Sequence, residues 1–129
     1  MKKVYLAIPY TGMEKSSYEQ SLDTVVLLTQ LFKGEINVFS PIVHSHPLTH
    51  LGLKGDWDFW KKIDYQFLDW CDEVYVLIPN EGSNKVFESV GVMAEIEYAK
   101  EIGKKIKYIN KKSAHEVAEI EFKKLKISD

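Results

Sequence analysis

Apolar positions along this chain repeat with two alternating periods. Four short runs rich in β-branched and aromatic residues, at 4–8, 37–40, 73–78 and 105–109, read as strands. Between them the spacing becomes helical. A first helix opens at Ser16 or Ser17, because Ser16 with Glu19 and Ser17 with Gln20 each form a capping box, and it runs to about Lys33 with Gly34 as its stop. A second covers 56–71, a third 91–103, and a fourth from about 113 to 125 closes the chain. Strands alternating with helices predict an α/β fold: a three-layer sandwich around a mostly parallel four- or five-stranded sheet, Rossmann-like or flavodoxin-like, forming one domain over 1–129. Right-handed crossovers favour the strand order 2-1-3-4.

Two helices break their own pattern. At about 100° per residue, Val92, Ile96, Ala99 and Ile102 make one face of the third helix, and Glu95 falls between Ile102 and Ala99. Glu97, Lys100, Glu101 and Lys104 make the wet face. In the second helix Trp57, Trp60, Phe67, Leu68 and Cys71 make the buried face, with Asp64 near its middle. An unpartnered carboxylate is costly in a core. Two of them on separate helices point to a shared pocket with chemistry in it. The plainer alternatives are a Glu95 head that swings to solvent, and an Asp64 paired with Lys61 or Lys62 or bonded to a loop amide. The 2-1-3-4 order gives the pocket a place, since ligands of open α/β sheets bind beyond the carboxyl ends of strands where the order reverses. The segments leaving those ends are Pro9-Tyr10-Thr11-Gly12 and the long stretch 79–90, which leads into the helix of Glu95.

Bulk composition narrows the partners. The net charge of −2 over 129 residues argues against a nucleic-acid polymer or an anionic membrane, while leaving room for a small phosphorylated ligand. No apolar run reaches the roughly 20 residues of a membrane span, and the start is too short in apolar residues for a signal peptide. Cys71 is the single cysteine and reads as a small buried hydrophobe. A cytoplasmic protein is expected. His44 and His46, taken as neighbours on one side of an extended segment, together with His50, invite a metal reading. No carboxylate or thiol follows at a zinc-like spacing, so a pocket-rim role is preferred for His44 and His46, a plain loop role for His50, and no metal is expected. Trp57 and Trp60 read first as core or oligomer contact and second as stacking surfaces. Asp72 reads as a turn or cap residue, and the lysines of the tail as a solvated face.

Three motifs in order, Tyr5-Leu-Ala-Ile-Pro9-Tyr10, then Asp64 eight residues before Asp72, then Ser89-Val-Gly91-Val-Met-Ala-Glu95 with Gly103-Lys104 beyond, resemble the nucleoside 2-deoxyribosyltransferase superfamily. That superfamily also contains the 2'-deoxynucleoside 5'-monophosphate N-glycosidases. The segment from Ser40 to Pro47, paired with Asp56-Trp57, looks like a branch apart from the well-studied transferases. The resemblance implies that Glu95 is a nucleophile attacking the anomeric carbon, that Asp64 bonds or protonates the departing base, and that Tyr5 bonds the Glu95 carboxyl. It implies further that Pro9, Tyr10, Thr11, Gly12, His44, His46, Ser89 and Gly91 surround a nucleoside or nucleotide, that no cofactor is needed, and that a second copy of the chain completes the pocket in a homodimer or larger assembly.

The position of Ser89 holds Asp in most transferases and Ser in the monophosphate glycosidases, which favours hydrolysis of a phosphorylated substrate. The segment from Thr11 to Ser17 lacks the Gly- and Arg-rich loop of those glycosidases, and Glu14 sits within it. Three functions therefore stay open: N-glycosidic cleavage resolved by water, base exchange by a transferase, and nucleotide binding without turnover.

Overall fold

The computed structural model describes residues 1–116, 120, 123 and 124. Four parallel strands, β1 (Lys2–Ala7), β2 (Ile36–Phe39), β3 (Glu73–Leu77) and β4 (Lys105–Ile109), form one sheet in the order β2-β1-β3-β4. The helices are α1 (Glu14–Leu31), α2 (Pro41–His50), α3 (Trp57–Trp70), α4 (Asn84–Glu88) and α5 (Val90–Glu101). The expected α/β sandwich and its strand order are therefore what the chain adopts. Of the expected closing helix, Ser113 is in a turn, residues 114–116, 120, 123 and 124 are helical, and the remainder lies outside the described residues.

Period-2 alternation sorts the central strands between two cores. Val4, Leu6 and Ile8 of β1 and its exit join Tyr75, Leu77, Leu28 and Phe32 on the α1 side. Tyr5 and Ala7 join Val74, Val76, Leu68, Ile96 and Ala99 on the side of α3 and α5. Tyr5 thus points toward the two helices that carry Asp64 and Glu95. At the opposite end of the strands, Glu73 is held between Lys2 at 2.5 Å and Lys107 at 3.6 Å, so one carboxylate ties β1, β3 and β4. Asp72 accepts from the Lys3 amide at 2.8 Å and returns its own amide to the Lys3 carbonyl at 2.7 Å, the turn role expected of it.

Two helix starts differ from expectation. α1 begins at Glu14 with Met13 as an uncapped N-terminus, so neither Ser16 nor Ser17 is a cap. Both serines are tied instead: the buried Ser17 hydroxyl donates to the Pro9 carbonyl and pins the exit of β1 to α1, and Ser16 accepts from Gln20 at 2.8 Å. The segment after β2 is a helix, not an extended run. Ser40 caps it by accepting from the Val43 amide at 3.2 Å, and Pro41 occupies the first turn, where its missing N–H costs nothing. Pro47 inside the helix breaks its ladder, which is what hides it in the sequence. Ser40→Ala should cost about 1 kcal/mol in the unfolding free energy measured in urea.

Among the described residues, no helix is long and apolar enough to cross a membrane.

Candidate active site

The exits of β1 and β3 diverge on either side of the reversal in strand order, and a cavity of about 490 Å³ opens there. Its floor is Ala7, Ile8 and Pro9 from β1 and its exit. α2 supplies Ile42, Ser45, His46 and Thr49, and α3 supplies Trp57, Trp60 and Asp64. Ser89, Gly91 and Glu95 come from the start of α5, and Lys85 and Glu88 from α4. A volume of this size suits a small molecule of nucleoside dimensions.

Asp64 and Glu95 are each 6% exposed and line this one cavity. α3 and α5 pack against each other and the same sheet face, so the two acids that the helical spacing singled out converge. Glu95 accepts a hydrogen bond from the Tyr5 hydroxyl, which reaches it from behind the sheet lining. Asp64 has one buried carboxyl oxygen, Oδ1, with no hydrogen-bond partner among the described residues. Lys61, one of the two neighbouring lysines expected as a partner, lies over the Tyr65 ring instead, 5.5 Å from its centroid.

Burial sets the protonation of both acids. It pushes Asp64 from 3.8 up to about 7. It pushes Glu95 from 4.5 up to about 8; the Tyr5 hydrogen bond works the other way by favouring the charged form, and the nearby Asp64 adds to the rise. Tyr5 itself is held well above its ordinary value by burial and then by Glu95, so it stays a proton donor. Near neutrality this arrangement offers a pair of carboxyl groups with protons to give and take, sealed from water on the sheet side. Such a pair can exchange protons near neutral pH, and either carboxylate can act as a nucleophile once it is charged. Tyr5→Phe should raise the Glu95 pKa further, by about one unit, since it removes a hydrogen bond to the charged form. Carbon-13 NMR of labelled glutamate across a pH series measures that shift.

Most of the residues expected around the ligand meet here. Pro9, Tyr10, Thr11, His46, Ser89 and Gly91 all line the cavity. Ser89 caps α5 by accepting from the Val92 amide at 3.2 Å, and the Trp57 ring packs over Gly91, 3.5 Å from where a Cβ would stand. Gly12 and His44 do not line it. Gly12 sits in the turn before α1 with φ +85°, a left-handed conformation that glycine adopts without strain, and its role is the turn. His44 is exposed and tilts against Phe39, because in a helix positions 44 and 46 face apart. The pairing of His44 with His46 on one side of a strand is thereby corrected.

The helix also explains what the sequence reading missed. Ile42, Ser45 and Thr49 join the expected His46 at i, i+3, i+7 and i+4, one face of α2, and that face lines the cavity. The Ser-Pro helix start was the signal that could have found them. Trp57 and Trp60 are half-buried cavity walls before they are core.

A family model described as Domain of unknown function (DUF1937) matches residues 2–111. The chain belongs to that family. The matched span holds all four strands and every residue of the cavity. No curated protein matches the chain.

Proposed function

We propose that this protein cleaves the N-glycosidic bond of a (deoxy)ribonucleoside or its 5'-monophosphate, with Glu95 as nucleophile and water completing the reaction. The observation that carries this reading is the convergence of two buried acids on one cavity, Glu95 held by Tyr5 and Asp64 left with an oxygen that has no partner among the described residues. The motif resemblance to the nucleoside 2-deoxyribosyltransferase superfamily supports it as well.

In the first step Glu95 forms a bond to the anomeric carbon while the bond from that carbon to the base nitrogen breaks, and the proton of Asp64 passes to the base. In the second step the Asp64 carboxylate takes a proton from water, the water oxygen bonds to the anomeric carbon, and the bond to Glu95 breaks. Both acids return to their starting states. Splitting one displacement into two is the logic of retaining glycosidases. Trp57 and Trp60 offer flat faces for the base beside Asp64. Val90 lines the cavity yet is 74% exposed, and Phe59, packed edge-on against Trp60, is 43% exposed. This uncovered apolar rim supports a homo-oligomer in which a second copy covers the mouth, which light scattering checks.

The test is release of free base from a panel of nucleosides and nucleotides by the purified protein, with Glu95→Gln alongside. Release that depends on Glu95 supports the reading. A new nucleoside formed when an acceptor base is added would make the protein a transferase. Tight binding with unchanged ligand after long incubation would make it a nucleotide-binding protein.

A further inference from the structure

Four side chains beside the cavity form a cluster that the glycosidic step does not use. Tyr10, on the exit of β1, is 2.6 Å from Nδ1 of His46 through its hydroxyl. The buried His46 ring stacks on Tyr18 of α1, with centroids 4.5 Å apart, and its Nε2 is 3.0 Å from Nε2 of His50 one helical turn on. Each ring nitrogen of His46 is therefore engaged, and the ring cannot turn without breaking both bonds and the stack.

The tautomer of His46 sets the direction of the protons along this chain. A phenol is a good donor and a poor acceptor, whereas a bare imidazole nitrogen is a strong acceptor. With Nδ1 of His46 bare, Tyr10 donates to it, and His46 carries its proton on Nε2 and donates to Nε2 of the exposed His50. With its one proton committed, the Tyr10 oxygen has only lone pairs left for anything in the cavity.

We propose that His46 holds this tautomer and that Tyr10, oriented by His46 and His50, is a specificity residue that accepts a hydrogen bond from a neutral sugar hydroxyl and rejects a phosphate at the same place. A phosphate dianion brings acceptors alone, so it meets the Tyr10 lone pairs with no proton between them. The charge of the wall points the same way. Asp56 and Glu88 line the cavity against Lys85, the one lysine among its described lining residues and already 3.8 Å from Glu88, and above about pH 7 the Asp64–Glu95 pair adds a further negative charge. Tyr10 is the contact residue in this account, and His46 is a positioning residue that acts through it.

The inference rests on the nucleoside reading of the site, and its test separates the two. Binding is measured by calorimetry in a Glu95→Gln background, which keeps ligands intact, using 2'-deoxyadenosine, adenosine, their 3'- and 5'-deoxy analogues, and the 3'- and 5'-monophosphates. Removing the hydroxyl that faces Tyr10 should weaken binding about 10-fold, and its phosphate ester should bind more weakly still. In Tyr10→Phe both differences should shrink to about 2-fold or less. His46→Leu should behave like Tyr10→Phe, while His46→Asn, which keeps an acceptor oxygen near the place of Nδ1, should restore the preference. Nitrogen-15 NMR of the unliganded protein should find Nδ1 of His46 bare.

A protonated Nδ1, or hydroxyl preferences that Tyr10→Phe leaves unchanged, would overturn the proposal. If the hydroxyl preference is present and wild-type protein releases no base, this inference stands and the glycosidase reading falls. If base is released with no dependence on Tyr10, the reverse holds. If none of the nucleosides or nucleotides binds, both fall.

Discussion

Glu95→Gln should abolish base release, lowering kcat by about 10³-fold or more, because an amide cannot attack the anomeric carbon or leave from it. The same substitution should make the protein more stable in alkali. The folded state holds a proton on Glu95 up to about pH 8, whereas an unfolded glutamate releases it near 4.5. Over that window the folded chain binds more protons than the unfolded one, so stability falls as pH rises. Above about pH 8 the full cost of a buried carboxylate is present, and a neutral amide in its place does not bear it. At pH 9 the variant should exceed the parent by about 2–4 kcal/mol, converging toward it near pH 4. Urea unfolding at the two pH values measures this. The pairing of lost activity with gained stability is the discriminating result, since a glutamate that served the fold would lose stability on both sides. A variant that is inactive and less stable at pH 9 would make Glu95 a structural residue and remove the nucleophile from the proposal.

Why Glu95 and Asp64 were legible from sequence, and the α2 wall was not, comes down to how far each signal reaches. A helix of twelve residues such as α5 repeats its apolar face three times, so one acid out of place is visible against the repeat. The strand order followed in the same way from alternation of elements and crossover handedness, both of which are properties of the whole chain. α2 has ten residues, two prolines and three histidines, and its buried positions are Pro41 and His46. No apolar stripe marks it. Its helical state is set by a local cap and by packing against α1, a contact between segments distant in sequence. Reading it as extended put His44 beside His46 and lost Ser45 and Thr49. Ser17 failed for a related reason: as a sequence motif it fits a capping box, but burial against the Pro9 carbonyl gives its hydroxyl a different partner. The Tyr10–His46–His50 chain was out of reach for both reasons at once, because it needs the helix and the β1 exit to be in place before any of its bonds can be named.

Asp64→Asn carries the second large effect, and the leaving group decides its size. Asp64 and Glu95 act as a coupled pair, so their protons leave in two steps that belong to both. With Asp64 pushed up to about 7 and Glu95 to about 8, the pair holds a single proton between those limits. Glu95 holds that proton in most molecules, and the productive form, with the proton on Asp64 and the charge on Glu95, is the minor partner at about one in ten, a share that the Tyr5 hydrogen bond raises. Activity should therefore rise to a maximum between about pH 7 and 8. It falls on the acid side, where a second proton neutralises the nucleophile, and on the alkaline side, where the last proton leaves and the base has no donor. An asparagine at position 64 can offer a hydrogen bond but cannot transfer a proton. For natural nucleobases, which leave poorly as anions, kcat should fall about 10²- to 10⁴-fold. For a deoxyriboside with a nitrophenolate leaving group, which departs without a proton, the loss should stay within about 10-fold. The alkaline limb should vanish, and the acid limb should move to lower pH, because the charge that helped to raise Glu95 is gone. Equal losses for both kinds of leaving group would show that Asp64 shapes the cavity without donating to the base. The pH profile of the variant on the nitrophenyl substrate then isolates Glu95, and a single limb below pH 8 is the signature of a buried carboxyl that must lose its proton before it attacks.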